Sequence, residues 1–398
     1  MDIHTIARLL AETYRFRQHD HARRAQLKAY QTRALYRLRA HAYTHSPFYA
    51  RFHRNLTHRP FGELPVLTSE MLMEHFDELV TDRRVRLDDV KHHLSNRGEH
   101  ERFLGQYQVS MTSDRNGKLG IFLFNQSEWA ALLAARARVR AWAGVHLDLT
   151  RPLRTALVAP TSPWHMSAQI GAAVHNWWMP EVHLDPATPI AAIVEQLNAW
   201  QPEMLVTDVS MAQCLAAEQQ AGRLQIAPEH IFTSSEALNR AARHTIEEVW
   251  GQRLFDQYAT VETGTIATEC DQHRGLHILE DHVIFEVVDE RNRPVRLGAE
   301  GDKVLITTLF SRTLPLIRYE LHDRVRLSKQ VCSCGRPLAL IETVQGARED
   351  ILPDDTGHME SLAPPRLVEI MSGMSVGGWQ IAEQAEAIGA DGGKGNGN

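Results

Sequence analysis

The sequence predicts an α/β fold, parallel sheets flanked by helices with a β-rich subdomain after them, and three observations predict it. From about residue 150 short β-branched runs alternate with helical ones, the pattern of strands joined by crossover helices. Beyond residue 280 the helical signals stop while strand-like runs and turns continue. The chain has 398 residues, 43% hydrophobic and 23% charged, enough for two or three folding units around a sizeable core.

In chain order, residues 3–55 set Ile6, Leu9, Leu10 and Tyr14, then Leu27, Tyr30, Leu35, Leu38 and Ala42, at helical spacing among many Arg and His. They predict a helical N-terminal layer. Residues 64–79 predict a short amphipathic helix with Thr68 or Ser69 as its N-cap. Strands are expected at residues 153–159, 204–207 and 230–233, each followed by a helix, at 165–178, 209–220 and 236–250. In such sheets ligands lie beyond the carboxyl ends of the strands, which marks Thr161, Asp208, Ser234 and Tyr258. Residues 282–288, 303–309 and 314–319 read as antiparallel strands, with turns at Asn292-Arg293-Pro294 and Glu300-Gly301-Asp302. The expected division is a main domain over 1–345 with a β-rich piece at 280–345, a rudimentary C-terminal domain at 346–388, and a disordered Gly-rich tail at 389–398.

Charge narrows the function classes. The balance of 43 Lys+Arg against 49 Asp+Glu, net −6, provides no global basic field for a polyphosphate backbone, so no nucleic-acid partner is expected. The N-terminus has no apolar signal core and nowhere do 18 apolar residues run uninterrupted, so no membrane partner is expected and the location is read as cytoplasmic. Four cysteines are too few for a disulfide framework. Of these, Cys214 lies on a helical face as a small core residue. Cys270, Cys332 and Cys334 with His277 give a Cys3His set, which closes all four positions on Zn2+ and so marks a structural rather than a hydrolytic site. His273, at Cys-x-x-His spacing, competes for the fourth position.

Four further segments follow one another in a recognisable order. Val109-Ser110-Met111-Thr112-Ser113-Asp114-Arg115-Asn116-Gly117-Lys118 leads into an apolar run and then Ser127-Glu128-Trp129. Thr233-Ser234-Ser235-Glu236 comes next, then Asp256-Gln257-Tyr258-Ala259-Thr260-Val261-Glu262, and finally Ile317-Arg318-Tyr319-Glu320-Leu321-His322-Asp323. This order resembles the adenylate-forming superfamily, and within it the phenylacetate-CoA ligase-like branch, which includes members labelled capsular polysaccharide biosynthesis proteins. The similarity runs from about residue 25 to residue 352.

The resemblance implies an adenylate-forming large domain with a truncated C-terminal domain, and it implies site residues. Thr112, Ser113, Gly117 and Lys118 match the loop that wraps the ATP phosphates, where Asp114, Arg115 and Asn116 replace the family's Gly and hydroxyl residues. Tyr258 would pack on adenine and Glu262 would hold Mg2+; Val261 stands in place of the family's Thr, leaving Thr260 to supply the hydroxyl near the α-phosphate. Asp323 aligns with the aspartate that accepts both ribose hydroxyls. Ser234, Ser235 and Glu236 match the adenine-edge segment, and they also read as a helix N-cap followed by Glu. His165 falls where the family presents a residue to the carboxylate substrate, in an acyl pocket around Thr161, Trp164, His165 and residues 233–236. The hinge is altered to Gly346-Ala347-Arg348-Glu349-Asp350, and the lysine of the family's mobile domain has no counterpart in a folded context, Lys394 lying in the tail.

The function so implied is ATP-dependent activation of an organic, preferably aromatic, carboxylic acid to an acyl-adenylate, with transfer to coenzyme A or to the pantetheine of an acyl carrier protein. ATP, Mg2+, structural Zn2+ and coenzyme A are the implied cofactors. The alternative is a degenerate relative that binds nucleotide or acyl ligand and serves as a partner or regulatory protein.

Overall fold

A computed structural model of the chain describes residues 3–56, 58–96, 101–113, 119–145, 151–175, 178–345, 351–353 and 359–361. Three helices form the N-terminal layer: α1 (Ile3–Asp20), α2 (Arg24–His45) and α3 (Pro47–Phe52). The inner face of α2 buries Leu27, Gln31, Leu38 and Ala42, while Ser46 caps α3 by accepting from the Tyr49 amide and Pro47 occupies its first turn. The helix expected within 64–79 is two short ones, α4 (Ser69–Glu74) and α5 (Phe76–Leu79), with His75 between them; Thr68, not Ser69, is the N-cap and accepts from the Met71 amide. Helix α6 (Leu87–Asn96) follows.

Strands β1 (Gln108–Ser113) and β2 (Leu119–Phe124) pair as an antiparallel hairpin, Ser113 opposite Leu119. Helix α7 (Gln126–Trp142) is buried over most of its surface, Trp129, Leu132, Leu133, Val139 and Trp142 together with the charged Glu128 and Arg138, as befits a helix enclosed between layers.

The remaining elements are β3 (Thr155–Val158), α8 (Met166–Val174), β4 (Glu181–Leu184), α9 (Ile190–Trp200), β5 (Met204–Asp208), α10 (Val209–Gln220), β6 (His230–Ser234), α11 (Arg240–Trp250), β7 (Leu254–Thr260), β8 (Gly264–Thr268), β9 (Leu276–Ile278), β10 (Val283–Val288), β11 (Lys303–Thr308), β12 (Tyr319–Leu321), β13 (Arg324–Leu327), β14 (Leu340–Gln345), β15 (Ile351–Pro353) and β16 (Met359–Ser361). Nine strands form one sheet in the order β13-β14-β9-β8-β7-β6-β5-β3-β4. From β4 to β7 the pairs are parallel, and from β7 outward they are antiparallel. Strand β7 is therefore the seam between the two halves. A separate three-stranded sheet, β10-β11-β12, packs beside it.

Four details differ from the sequence expectation. Strand β4 and helix α9 are additional to it, although Ile190, Ile193, Val194, Leu197 and Trp200 of α9 recur at helical spacing and bury Ile193, Val194 and Leu197. Helix α11 begins at Arg240 rather than 236, because Ser235 has φ +72° and Asn239 is the cap, accepting from the Ala242 amide. The strand expected at 314–319 is instead β12, since the backbone turns through Arg318 at φ +52° first. The β-rich piece divides, with β13 and β14 extending the main sheet and β10 to β12 standing apart.

Candidate active site

Strand β7 ends at the seam, and the turn from Thr260 to Gly264 carries the residues of interest. Gly264 has φ +66°, and a Cβ there would lie 2.8 Å from the Leu132 side chain, so only glycine fits the bend. The turn is closed by a Thr260 to Thr263 hydroxyl contact of 3.0 Å. The Thr260 hydroxyl also bonds the Glu262 carboxylate, yet burial pushes the Glu262 pKa above the usual carboxylate range, and the nearby charge of Asp323 adds to the rise.

Tyr258 is buried on β7, and its phenol donates to Asp323 Oδ2 at 2.5 Å. Burial, then the Asp323 charge, raises that phenol well above its ordinary pKa, so it remains a neutral donor. Phe285 meets the Tyr258 ring edge-on, with centroids 6.2 Å apart. Asp323 itself lies between β12 and β13, whose course is fixed by Arg318: its Nε donates to Glu286 at 3.0 Å and its backbone N–H to Thr307 Oγ1 at 2.8 Å. Thus Tyr258, Thr260, Glu262 and Asp323 converge, distant in sequence but side by side in space.

At the neighbouring strand ends Ser234 stands opposite Asp208 in the parallel ladder. Asp208 caps α10, accepting from the Met211 amide at 2.7 Å, and burial pushes its pKa up to about 6. The Glu236 carboxylate is turned onto the same helix, accepting from Ser210 N at 2.8 Å and Ser210 Oγ at 2.6 Å. The expected Ser-Ser-Glu cap of α11 is thus replaced by a Glu236 brace on α10. One residue pair further back, Thr233 Oγ1 donates to Asp256 Oδ1 at 3.0 Å.

Thr112, on β1, is half-buried opposite Gly120. The hairpin docks on the loop before α8: the Met111 amide donates to the Trp164 carbonyl at 2.9 Å, and Gln169 donates to the Val109 carbonyl and accepts from Ser110. His165 precedes α8 and contacts Ser167 at 2.7 Å; burial lowers its pKa, so it is held neutral. The Ser113 side chain and Asp114, Arg115, Asn116, Gly117 and Lys118 lie outside the described residues, as do 346–350 and Lys394. A cavity of about 590 Å3 flanks α8 beside Trp129, Thr161, Pro163, Gln169, Glu181 and His183. Trp164, His165 and residues 233–236 do not line it, so only Thr161 of the expected acyl pocket borders this space.

A second cluster lies at the far antiparallel side. Cys270, His277, Cys332 and Cys334 bring one donor atom each within 4.8 Å of one another. Cys270 Sγ is 3.7 Å from Cys332 Sγ, and His277 Nε2 is 3.3 Å from Cys334 Sγ. A tetrahedral Zn2+ with Zn–S near ~2.3 Å sets its sulfurs about 3.8 Å apart, so the donors present fit that ion. Burial lowers the His277 pKa to about 4, leaving a neutral imidazole. His273, the competing imidazole, is turned away to Glu269 at 3.3 Å.

The sequence reading does not single out Thr263, Phe285 or His282, which shape the turn and the Tyr258 wall. None carries a pattern of its own, and one buried His among 22 offers no signal before its neighbours are known.

No protein-family model matches the chain. A phenylacetate-coenzyme A ligase of Thermus thermophilus is 29% identical over 163 residues, 39% of this chain and 36% of that protein. Another, from Escherichia coli (strain K12), is 30% identical over 121 residues, 30% of this chain and 27% of that protein. The chain thus matches only about a third of the length of these relatives. Among solved structures, 2-hydroxyisobutyryl-CoA ligase in the postadenylation state aligns with a TM-score of 0.67 at 20% identity, over 89% of this chain and 75% of that one. The same ligase in an open conformation with 2-HIB-AMP and CoA aligns with a TM-score of 0.67 at 20% identity, over 89% and 77%. The chain has the fold of the adenylate-forming superfamily and resembles in sequence its phenylacetate-CoA ligase-like branch.

Proposed function

We propose that the chain is an ATP-dependent acid–thiol ligase that activates an organic, preferably aromatic, carboxylic acid as its acyl-adenylate and passes the acyl group to coenzyme A or a carrier-protein pantetheine. The observation that carries this reading is the convergence of Tyr258, Asp323, Thr260 and Glu262 at the seam of the sheet. Tyr258 packs on the base; Asp323 keeps one carboxylate oxygen for the Tyr258 phenol and offers its remaining lone pairs to the ribose. Ser234, Ser235 and Glu236 border the adenine edge, and Thr112, Ser113, Gly117 and Lys118 hold the phosphates. His165, neutral beside α8, faces the acid. Glu262 is the oxygen ligand for Mg2+, which supplies neutralisation of charge on the phosphoryl oxygens when bound. The Cys3His set holds a structural Zn2+ away from this chemistry.

The proposal keeps residues 1–345 as the adenylation domain, 346–388 as its rudimentary C-terminal partner and 389–398 as the tail, in a cytoplasmic protein. Among the described residues no helix is long and apolar enough to cross a membrane. The test is pyrophosphate release from ATP and Mg2+ with a panel of aryl and short aliphatic acids, with and without coenzyme A. Acid-dependent release that falls at least about a hundredfold in Glu262→Ala is expected. Folded protein that binds ATP and releases no pyrophosphate with any acid would replace this reading with the binding-only alternative.

A further inference from the structure

The Thr260–Gly264 turn is held from behind by a group outside the nucleotide side of the sheet. His282, immediately before β10, is fully buried. Its ring stacks on Phe310 with centroids 4.1 Å apart and planes 11° apart, and Phe16 of α1 meets it edge-on at 5.9 Å. Nε2 lies 3.3 Å from the Thr263 carbonyl, the residue between Glu262 and the Gly264 bend. Burial lowers the imidazole pKa to about 3, so the ring is neutral, and the contact is a neutral N–H donated to a carbonyl.

The ring is itself fixed. Its neighbour Asp281 accepts from Arg138 Nη1 at 2.7 Å and from His19 Nδ1 at 2.8 Å, and Arg138 in turn binds Asp20 at the end of α1. The His282 carbonyl accepts from the Leu309 amide at 3.0 Å. Helices α1 and α7 and the β10–β11 sheet therefore all bear on one donor, and that donor has one partner in the turn. A carbonyl enclosed at a bend needs its hydrogen bond, and losing the donor frees the bend to shift.

We propose that His282 is a positioning residue for Glu262, setting the turn that presents this carboxylate to its cation by donating Nε2–H to the Thr263 carbonyl. This rests on the adenylation reading, in which Glu262 ligates Mg2+. Outer partners that orient a metal ligand commonly change metal affinity by about 10- to 100-fold when removed.

The experiment compares His282→Gln with His282→Asn in the full-length chain. The Gln amide nitrogen reaches the place of Nε2, whereas the Asn amide nitrogen reaches only the place of Nδ1. Both variants remove the stacked ring but Asn leaves one methylene more of cavity, so His282→Met, close to Gln in size and without an N–H, is compared as well. A merely structural role would leave Met like Gln, and the donor role would leave it like Asn. The Mg2+ concentration for half-maximal pyrophosphate release is expected to rise about tenfold in Asn and to stay near wild type in Gln. Equal values in the two variants would overturn the proposal, as would a loss explained in both by a common fall in Tm. Hydrogen exchange over residues 259–265 gives a readout independent of activity, expected faster in Asn than in Gln. Absence of acyl-adenylate with the wild-type chain would defeat the adenylation reading alone; equal exchange in the two variants would defeat the role of His282.

Discussion

Asp256 shows how a single carboxylate can oppose the fold that holds it. It sits inside the sheet with its amide bonded to Glu269 and its side chain accepting from the Thr233 hydroxyl. Burial, then the Glu269 charge, pushes its pKa up to about 7. A carboxylate whose folded pKa exceeds its unfolded value binds more protons in the native state. Its contribution to stability is therefore greatest at low pH and is lost as pH rises toward 7, the reverse of a salt-bridged aspartate. Asp256→Asn keeps the acceptor for Thr233 and removes the charge. The variant is expected to be more stable than wild type at pH 8 by about 2 kcal/mol, with the difference shrinking as pH falls to 5. Urea midpoints at the two pH values check this; a difference independent of pH would show that the carboxylate charge is not its source.

Elements are joined by equally specific atoms, and α7 is the best example. Its cap is reciprocal: Asn125 accepts from the Ser127 and Glu128 amides, and Glu128 Oε2 accepts from the Asn125 amide at 2.7 Å. The other oxygen, Oε1, accepts from the backbone N–H groups of Arg312 and Thr313, at 2.5 and 2.7 Å. One carboxylate thus starts a helix and ties it to the loop after β11. Glu128→Ala strands three N–H groups and is expected to cost about 3 kcal/mol, with an unchanged urea m-value, whereas Glu128→Gln loses only the Asn125 bond and should cost about 1 kcal/mol. Similar losses for the two variants would mean that the loop contacts contribute nothing. Ser127-Glu128-Trp129 was legible in the sequence as part of an ordered set of segments, and the local half of its role follows from capping chemistry. The half that reaches residue 312 was not legible, since no local pattern records a contact across 184 positions.

For the whole molecule, the same division holds. The parallel order of β3, β5 and β6 followed from β-branched runs alternating with helical ones, because such runs record burial on both faces. That β13 and β14 rejoin the main sheet did not follow, because Leu327 and Ile341 have the same alternation whichever sheet they enter. The cysteines supply the missing long-range information: Cys270 follows β8, His277 lies on β9 opposite Leu340, and Cys332 and Cys334 sit in the β13–β14 connection. A Zn2+ on these donors, as proposed, would tie that connection to the sheet on the side farthest from β4. Metal binding to deprotonated thiolates then becomes part of folding stability, and because burial pushes the metal-free Cys270 thiol up to about 12, binding releases protons and tightens as pH rises. Elemental analysis of protein purified without chelator is expected to give one zinc per chain. Complete removal by a strong chelator is expected to lower Tm by several degrees, and by more at pH 8 than at pH 6, because the ion held more tightly contributes more to the folded state. Cys332→Ser should behave as the stripped protein does, with no further loss on chelation. Zinc-free protein with an unchanged Tm after chelation would show instead that the four donors pack as thiols and imidazole, and that the sheet edge is held by its apolar contacts, Val325, Leu340 and Ile341 among them.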